Sequence, residues 1–230
     1  MSDESFDLSC TLHSFEFSQK TKPFEAIMAL HKALTPHSEH FHLPKNNYYQ
    51  LSLNKSDARI VLITEGCFSL YHAEKDLCLA TGFSPTVVGL TDAYSLYYNV
   101  EPRPRHYIYG ETECFGFKIE IDNFVKLADE LNLWHDVAKL LAQRLITRSA
   151  RDKELVGVDA YTQIKFLLKE LWLYPDNIRN SINVQQYIQQ RSHLSRSGIL
   201  KIIAELRKGK YIKIQAGKLL SINSKFPAQF

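Results

Sequence analysis

Residues 183–222 restrict the fold more than any other part of the chain. They carry two short helical patterns, a three-residue break between them, and a pair of β-like runs. Asn183 suits an N-cap ahead of VQQYIQQR. Ser192-His193-Leu194 leaves room only for a tight turn. Ser195 then offers a hydroxyl to cap a second helix that runs to about Lys208, with Gly209 as its C′ residue. Ile199, Ile202, Ile203 and Leu206 recur at helical spacing and predict a buried face, while Arg196, Ser197, Leu200, Lys201 and Lys208 fall on the other. YIKI and KLLSI flank Gln215-Ala216-Gly217, where the glycine fits a hairpin turn.

Charge gives this module a direction. Residues 1–150 hold 14 Lys/Arg and 19 Asp/Glu, a net −5, whereas residues 151–230 hold 14 and 6, a net +8. That excess sits in residues 182–230, where nine basic side chains face Glu205 alone. A basic module on an acidic remainder implies a polyanionic partner. Helix, turn, helix and hairpin in that order make a winged helix-turn-helix, whose second helix enters the major groove with its N-terminal residues at the base edges. Double-stranded DNA is therefore the expected partner. Ser195 and Ser197, at a helix N-terminus, suit a phosphate. Arg196 can present its fork to a guanine, with Lys201 on the same outer face. Lys213 and Lys218 on the wing can neutralise neighbouring phosphates.

The texture upstream is different. Residues 1–20 read as loosely ordered, and 23–35 as a short helix. From 39 to 121, runs such as HFHLP, YYQLSLN, ARIVLITEGCFSLYH, LCLATG, TVVGL, YSLYYNV, HYIYGET and CFGFKIEI predict about eight short strands, hence a sandwich, jelly roll or small barrel. GCFSLYHAEKDLCLATG predicts a hairpin around 73–76. At Asp122 the pattern turns helical, with a break near Asn132 and then a long helix. On that helix Trp134, Val137, Leu141 and Leu145 step by three and four, an a/d-like seam that suits a dimer interface. Gly157 reads as a hinge, and Tyr174-Pro175-Asp176 closes the helix that follows. The expected fold is α+β in three parts: a β-roll over 1–121, connecting and dimerisation helices over 122–156, and a winged helix over 157–230.

This plan, with the string LSRSGILKIIAELRKGKYIKIQAGKLLSIN, resembles the CRP/FNR-type transcription regulators. The resemblance is strong from residue 182 and rests on layout before that. Within these regulators the tail is most similar to an enterobacterial branch tied to hydrogen peroxide resistance. The resemblance implies a cyclic-nucleotide-binding-like jelly roll, a homodimer, and RNA polymerase as a further partner. It carries Ser195, Arg196 and Lys201 onto phosphate- and base-contacting positions. Ser197 departs from the cyclic-AMP-responsive members, which have an acidic residue there, so a different operator is expected. Their Gly-Glu segment and Arg-Ser pair are absent too: Leu90 follows Gly89, and Arg103 and Arg105 have no adjoining serine. A response to cyclic AMP is not expected.

Other chemistry is weakly represented. Cys10, Cys67, Cys78 and Cys114 form no C-x-x-C pair and fit no cluster spacing. Oxidant sensing would need an exposed cysteine of lowered pKa. His37, His40 and His42 lack a completing Glu, so no metal and no cofactor are expected. Tyr94, Tyr97, Tyr98, Tyr107 and Tyr109 either line a pocket or fill a β core. No catalytic constellation is present. The polar start MSDESFDLSC is no signal peptide, and no apolar run spans a membrane, so a cytoplasmic protein is expected. The competing reading is a jelly-roll small-molecule or metal-binding protein whose basic tail docks on an acidic partner. The effector, if any, stays open.

Overall fold

The computed structural model describes residues 12–223 and 226–227. Two compact units result, one of residues 23–142, the other of residues 1–22 together with 143–230.

The first unit opens with α2 (Phe24–Leu34), numbered after α1 (Ser14–Lys20) of the other unit. Strands β1 (Glu39–Leu43), β2 (Tyr48–Leu51), β3 (Arg59–Glu65), β4 (Cys67–His72), β5 (Leu77–Phe83) and β6 (Thr86–Val88) follow. Next come α3 (Leu90–Tyr97), β7 (His106–Gly110), β8 (Cys114–Glu120), α4 (Ile121–Glu130) and α5 (Trp134–Leu155). The strands form two antiparallel four-stranded sheets, ordered β1-β8-β3-β6 and β2-β7-β4-β5. Strand β3 shows why the layers stack this way. Its run Ile60-Val61-Leu62-Ile63 is apolar on both faces and fully buried. Val61 and Ile63 pack with Phe41, Leu43, Leu51, Phe68 and Ile108 between the sheets. Ile60 and Leu62 face a second core with Ile27, Leu30 and Leu34 of α2 and Phe124 and Ala128 of α4. At Gly116 in β8 the backbones come so close that a Cβ would lie 1.9 Å from the Leu62 carbonyl oxygen.

One expected strand is a helix. YSLYYNV falls on α3 and the turn after it. Leu90, Ala93, Leu96 and Tyr97 recur at helical spacing and pack on the same core as α2 and α4. Gly89 starts the helix at φ +86, a conformation that costs glycine little. The β-propensity of the tyrosines was outweighed by the periodicity of their neighbours.

The second unit takes the rest of α5, then α6 (Ala160–Trp172), α7 (Asp176–Arg179), α8 (Val184–Arg191), α9 (Arg196–Lys208) and the hairpin β9 (Ile212–Gln215) and β10 (Lys218–Ile222). Of the stretch read as loosely ordered, 1–11 lie outside the described residues, while Ser14–Lys20 form α1. Its His13 ring accepts from the Phe15 N–H as a cap. The short α7 was not foreseen. Asn183 caps α8 by accepting from the Gln186 N–H at 3.1 Å, as its sequence position predicts.

Helix α9 ends at Lys208, as expected, but the C′ residue is Lys210 and not Gly209. Gly209 has φ −75, and Lys210 takes the left-handed conformation at φ +59. The Lys210 N–H donates to Arg207 O and the Tyr211 N–H to Leu206 O, each at 3.0 Å, a complete Schellman closure. Gly209 serves instead as a seat for the Tyr211 ring, 2.4 Å from where a Cβ would stand. Lys210→Gly is therefore expected to stabilise the unit by about 0.5–1 kcal/mol, because αL strain in a non-glycine residue exceeds the added chain entropy. Urea unfolding followed by circular dichroism checks it.

Candidate nucleic-acid interface

Helix α9 is seated through Ile199, Ile203 and Leu206, all buried, with Ile202 half-buried. Its opposite face leaves Arg196, Ser197, Leu200, Lys201, Ala204 and Lys208 exposed. Ser195 fixes the N-terminus: its Oγ accepts from the Gly198 N–H at 3.2 Å and lies 3.2 Å from the Ser197 Oγ. The helix thus presents free amide donors and two hydroxyls at one end, where the dipole favours an anion. Arg196, Lys201 and Lys213 make no hydrogen bond or ion pair with other described residues. Their charges are available to a partner. Lys201 stands about one and a half turns beyond Arg196, also exposed.

Lys218 is placed differently. Its Nζ donates to the Ser181 carbonyl at 2.5 Å. Around it the hairpin turn folds onto the start of α8. Ala216 and Gly217 both have positive φ, +48 and +77, the signature of a two-residue type I′ turn. The Val184 N–H donates to Gly217 O at 2.8 Å, and a Cβ on Gly217 would lie 2.4 Å from the Asn183 Nδ2. The wing is thereby tied to the first helix of the pair. Arg207 and Lys210, not foreseen as contacts, are also exposed near the C-terminal end of α9. The Arg-Lys-Gly-Lys run was their visible signal.

The seam expected on α5 divides between two environments. Val137 is buried in the core of residues 23–142, and Trp134 and Leu141 pack against that same core. Trp134 meets Tyr94 and Phe124 edge-on and donates through Nε1 to Asp129. Leu145 is 72% exposed, and Ile146 beside it is 56% exposed. Of the four residues named for pairing two chains, Leu145 alone stands out in solvent; Ile146 is the better companion. Heptad stepping placed Val137 on the seam because it could not register the core that α2 and α4 supply.

The first turn of α3 bears on nucleotide chemistry. Asp92 is buried, and its carboxylate accepts from the His106 N–H at 3.2 Å and lies 3.0 Å from the His106 Nδ1. Arg105 pairs with Glu101, and Arg103 is exposed. Asp92 thus puts a negative charge in the first turn of α3, which disfavours a phosphate there. The tyrosines separate into two groups. Tyr94, Tyr97 and Tyr98 neighbour one another on α3, and Tyr107 stacks on Tyr71 in the other sheet. His42 pairs with Glu113 at 2.6 Å and stacks on Phe115. Among the described residues no group of three or more His, Cys, Asp or Glu is arranged to hold a metal ion.

Cys67, Cys78 and Cys114 are buried, and Cys10 lies outside the described residues. Burial pushes the Cys114 thiol up to about 11 from an ordinary 9.0. Its thiolate is then about 100-fold scarcer at neutral pH than in a free cysteine. In a Cys10→Ser background, Cys114 is expected to react with a disulfide reagent at least ~100-fold more slowly than after denaturation. Mass spectrometry of timed samples reads this directly.

Residues 160–228 match a family model described as winged helix-turn-helix DNA binding. The chain is similar to the inhibitor of hydrogen peroxide resistance of Salmonella typhimurium, 28% identical over 210 residues, which cover 91% of this chain and 98% of that protein. In solved structures it is similar to the c-di-GMP responsive global regulator CLP of Xanthomonas campestris (TM-score 0.69, 15% identity, 86% of this chain and 100% of that one). It is likewise similar to a transcriptional regulator of the crp/fnr family from Eubacterium rectale (TM-score 0.67, 15% identity, 90% and 96%). Among the described residues no helix is long and apolar enough to cross a membrane. The chain thus has the CRP/FNR regulator fold, with α8, α9 and the β9–β10 hairpin forming its winged helix-turn-helix.

Proposed function

We propose that this chain is a transcription regulator that reads double-stranded DNA as a homodimer and acts by binding, without catalysis. The observation that carries the reading is the free basic face of α9, with Arg196 one residue past a capped helix N-terminus. Ser195 and Ser197 take a phosphate; Arg196 and Lys201 take base edges; Lys213 takes a neighbouring phosphate. Leu200 and Ala204, exposed between the basic residues, suit a thymine methyl. Pairing runs through the exposed Leu145 and Ile146 of α5. The buried Asp92–His106 pair in α3 and β7 supports independence from cyclic AMP. The similarity to the Salmonella inhibitor supports a role in hydrogen peroxide resistance, exercised in the cytoplasm where DNA is, with RNA polymerase as the second partner.

The test is selection of duplexes from a random library by the full-length chain, then mobility shifts at several salt concentrations. The expected result is one enriched sequence with two related halves and a steep salt slope. Retention of no duplex overturns the reading.

A further inference from the structure

One carboxylate gathers three helices of the second unit. Glu170 of α6 has a side chain 3% exposed. Arg151 of α5, 11% exposed, donates to its Oε2. The Tyr174 hydroxyl, just past α6, donates to its Oε1 at 3.0 Å. Tyr187 of α8 donates in turn to the Tyr174 hydroxyl at 2.9 Å. Arg191, at the end of α8, is buried with its guanidinium carbon 3.7 Å from the Tyr187 ring centroid. Burial works to raise the Glu170 pKa, but Arg151 and Arg191 outweigh it and hold the carboxyl below its ordinary range. The group is a charged hub, and its spokes reach the long helix and the first helix of the helix-turn-helix.

The joint it spans turns at a glycine. Gly157, between α5 and α6, has φ +73, and a Cβ there would meet nothing within 4 Å. A second strap crosses the same joint. The Ser14 N–H and Oγ donate to Glu154 of α5, at 2.7 and 2.5 Å. His13 lies 3.0 Å from the Phe166 carbonyl of α6, and the Phe15 ring lies 4.8 Å from that of Tyr174. A buried ion cluster is a poor stability device, since apolar groups of similar volume often do as well. Its distinctive property is direction: hydrogen bonds to one carboxylate fix angles that apolar packing leaves soft.

We propose that Glu170 is a positioning residue for DNA reading: it fixes the angle between α5 and the helix-turn-helix, and so the spacing at which two paired α9 helices meet their half-sites. The inference rests on the proposed reading of the chain as a dimeric DNA reader. Its test uses the duplex selected by the wild-type full-length chain, remade as a ladder in which the gap between halves changes by single base pairs. The wild type is expected to prefer one gap by at least ~10-fold over its neighbours, since each base pair turns one half-site away from the other. Glu170→Gln should flatten that preference to under ~3-fold while leaving affinity for an isolated half-site within about twofold. Tyr187→Phe keeps the ring and removes the hydroxyl bond, and carries the test should Glu170→Gln not fold. A merely structural role lowers binding in proportion along the whole ladder, and that result, or an unchanged profile in both variants, overturns the proposal. A wild type with no preferred gap overturns it as well. A wild type that binds no duplex overturns the DNA reading itself.

Discussion

Arg196→Ala is expected to weaken binding to the selected duplex by about 10- to 100-fold at fixed salt, and to relax the preference at one base pair. The argument is geometric. Arg196 is the first residue of α9, exposed and without a partner among the described residues, so its fork is not already spent inside the protein. For the same reason the fold should tolerate its loss, with stability within about 0.5 kcal/mol of wild type. Lys213→Ala should behave otherwise. A phosphate contact carries no sequence information, so binding falls evenly across sequences and the slope of log K against log salt drops by about 1. Lys218→Ala separates the two lysines of the wing. Because Lys218 is bonded to the Ser181 carbonyl, its loss should loosen the hairpin and move the salt slope less. Equal salt slopes for the two lysine variants would show that the bond to Ser181 opens when DNA is bound. An Arg196→Ala protein with wild-type affinity and specificity would remove α9 from the groove altogether.

Gly116→Ala is expected to cost the unit of residues 23–142 more than about 3 kcal/mol, the range reached when a backbone clash cannot relax. The added Cβ would sit 1.9 Å from the Leu62 carbonyl oxygen and 3.0 Å from the Ile63 Cα. Both are backbone atoms of the neighbouring strand, so only separation of β3 from β8 relieves the contact. Those strands carry both cores of the unit. Total stabilities of about 5–15 kcal/mol leave little margin. The chain supplies its own reporters: Trp134 belongs to this unit and Trp172 to the other. In a Trp172→Phe background, the Trp134 emission should shift red and lose its cooperative transition. Normal unfolding of that variant would mean that the close approach at Gly116 is not a requirement of the sheet.

How much was legible in the sequence depended on how local its cause was. The caps at Asn183 and Ser195, the apolar stripe of α9 and the Gly217 turn are set within four residues, and each stands where the sequence put it. The two-sheet β part followed from short apolar runs and the turns between them. What the sequence did not show was non-local. Val137 and Leu145 look alike by spacing, but α2 and α4 cover one and leave the other bare. Lys213 and Lys218 look alike on a wing, but the hairpin turn lies against α8 and its bond takes one of them. YSLYYNV became helical because a core, built from α2 and α4, lay beneath Leu90 and Ala93. Glu170 gave no signal, since its charge partners Arg151 and Arg191 are 19 residues before it and 21 after, and Tyr174 alone is near in sequence.

The helix α1 lies near the start of the chain, yet it belongs to the unit made by residues 143–230. During synthesis its partners Glu154, Phe166 and Tyr174 emerge only after the whole of 23–142. The second unit is therefore a discontinuous one, closed by a contact of very high sequence separation. A bulky fusion placed just ahead of His13 would fall on that closure and not on the sandwich that follows it in sequence. A handle attached there would test whether the second unit can close around its own N-terminal strap.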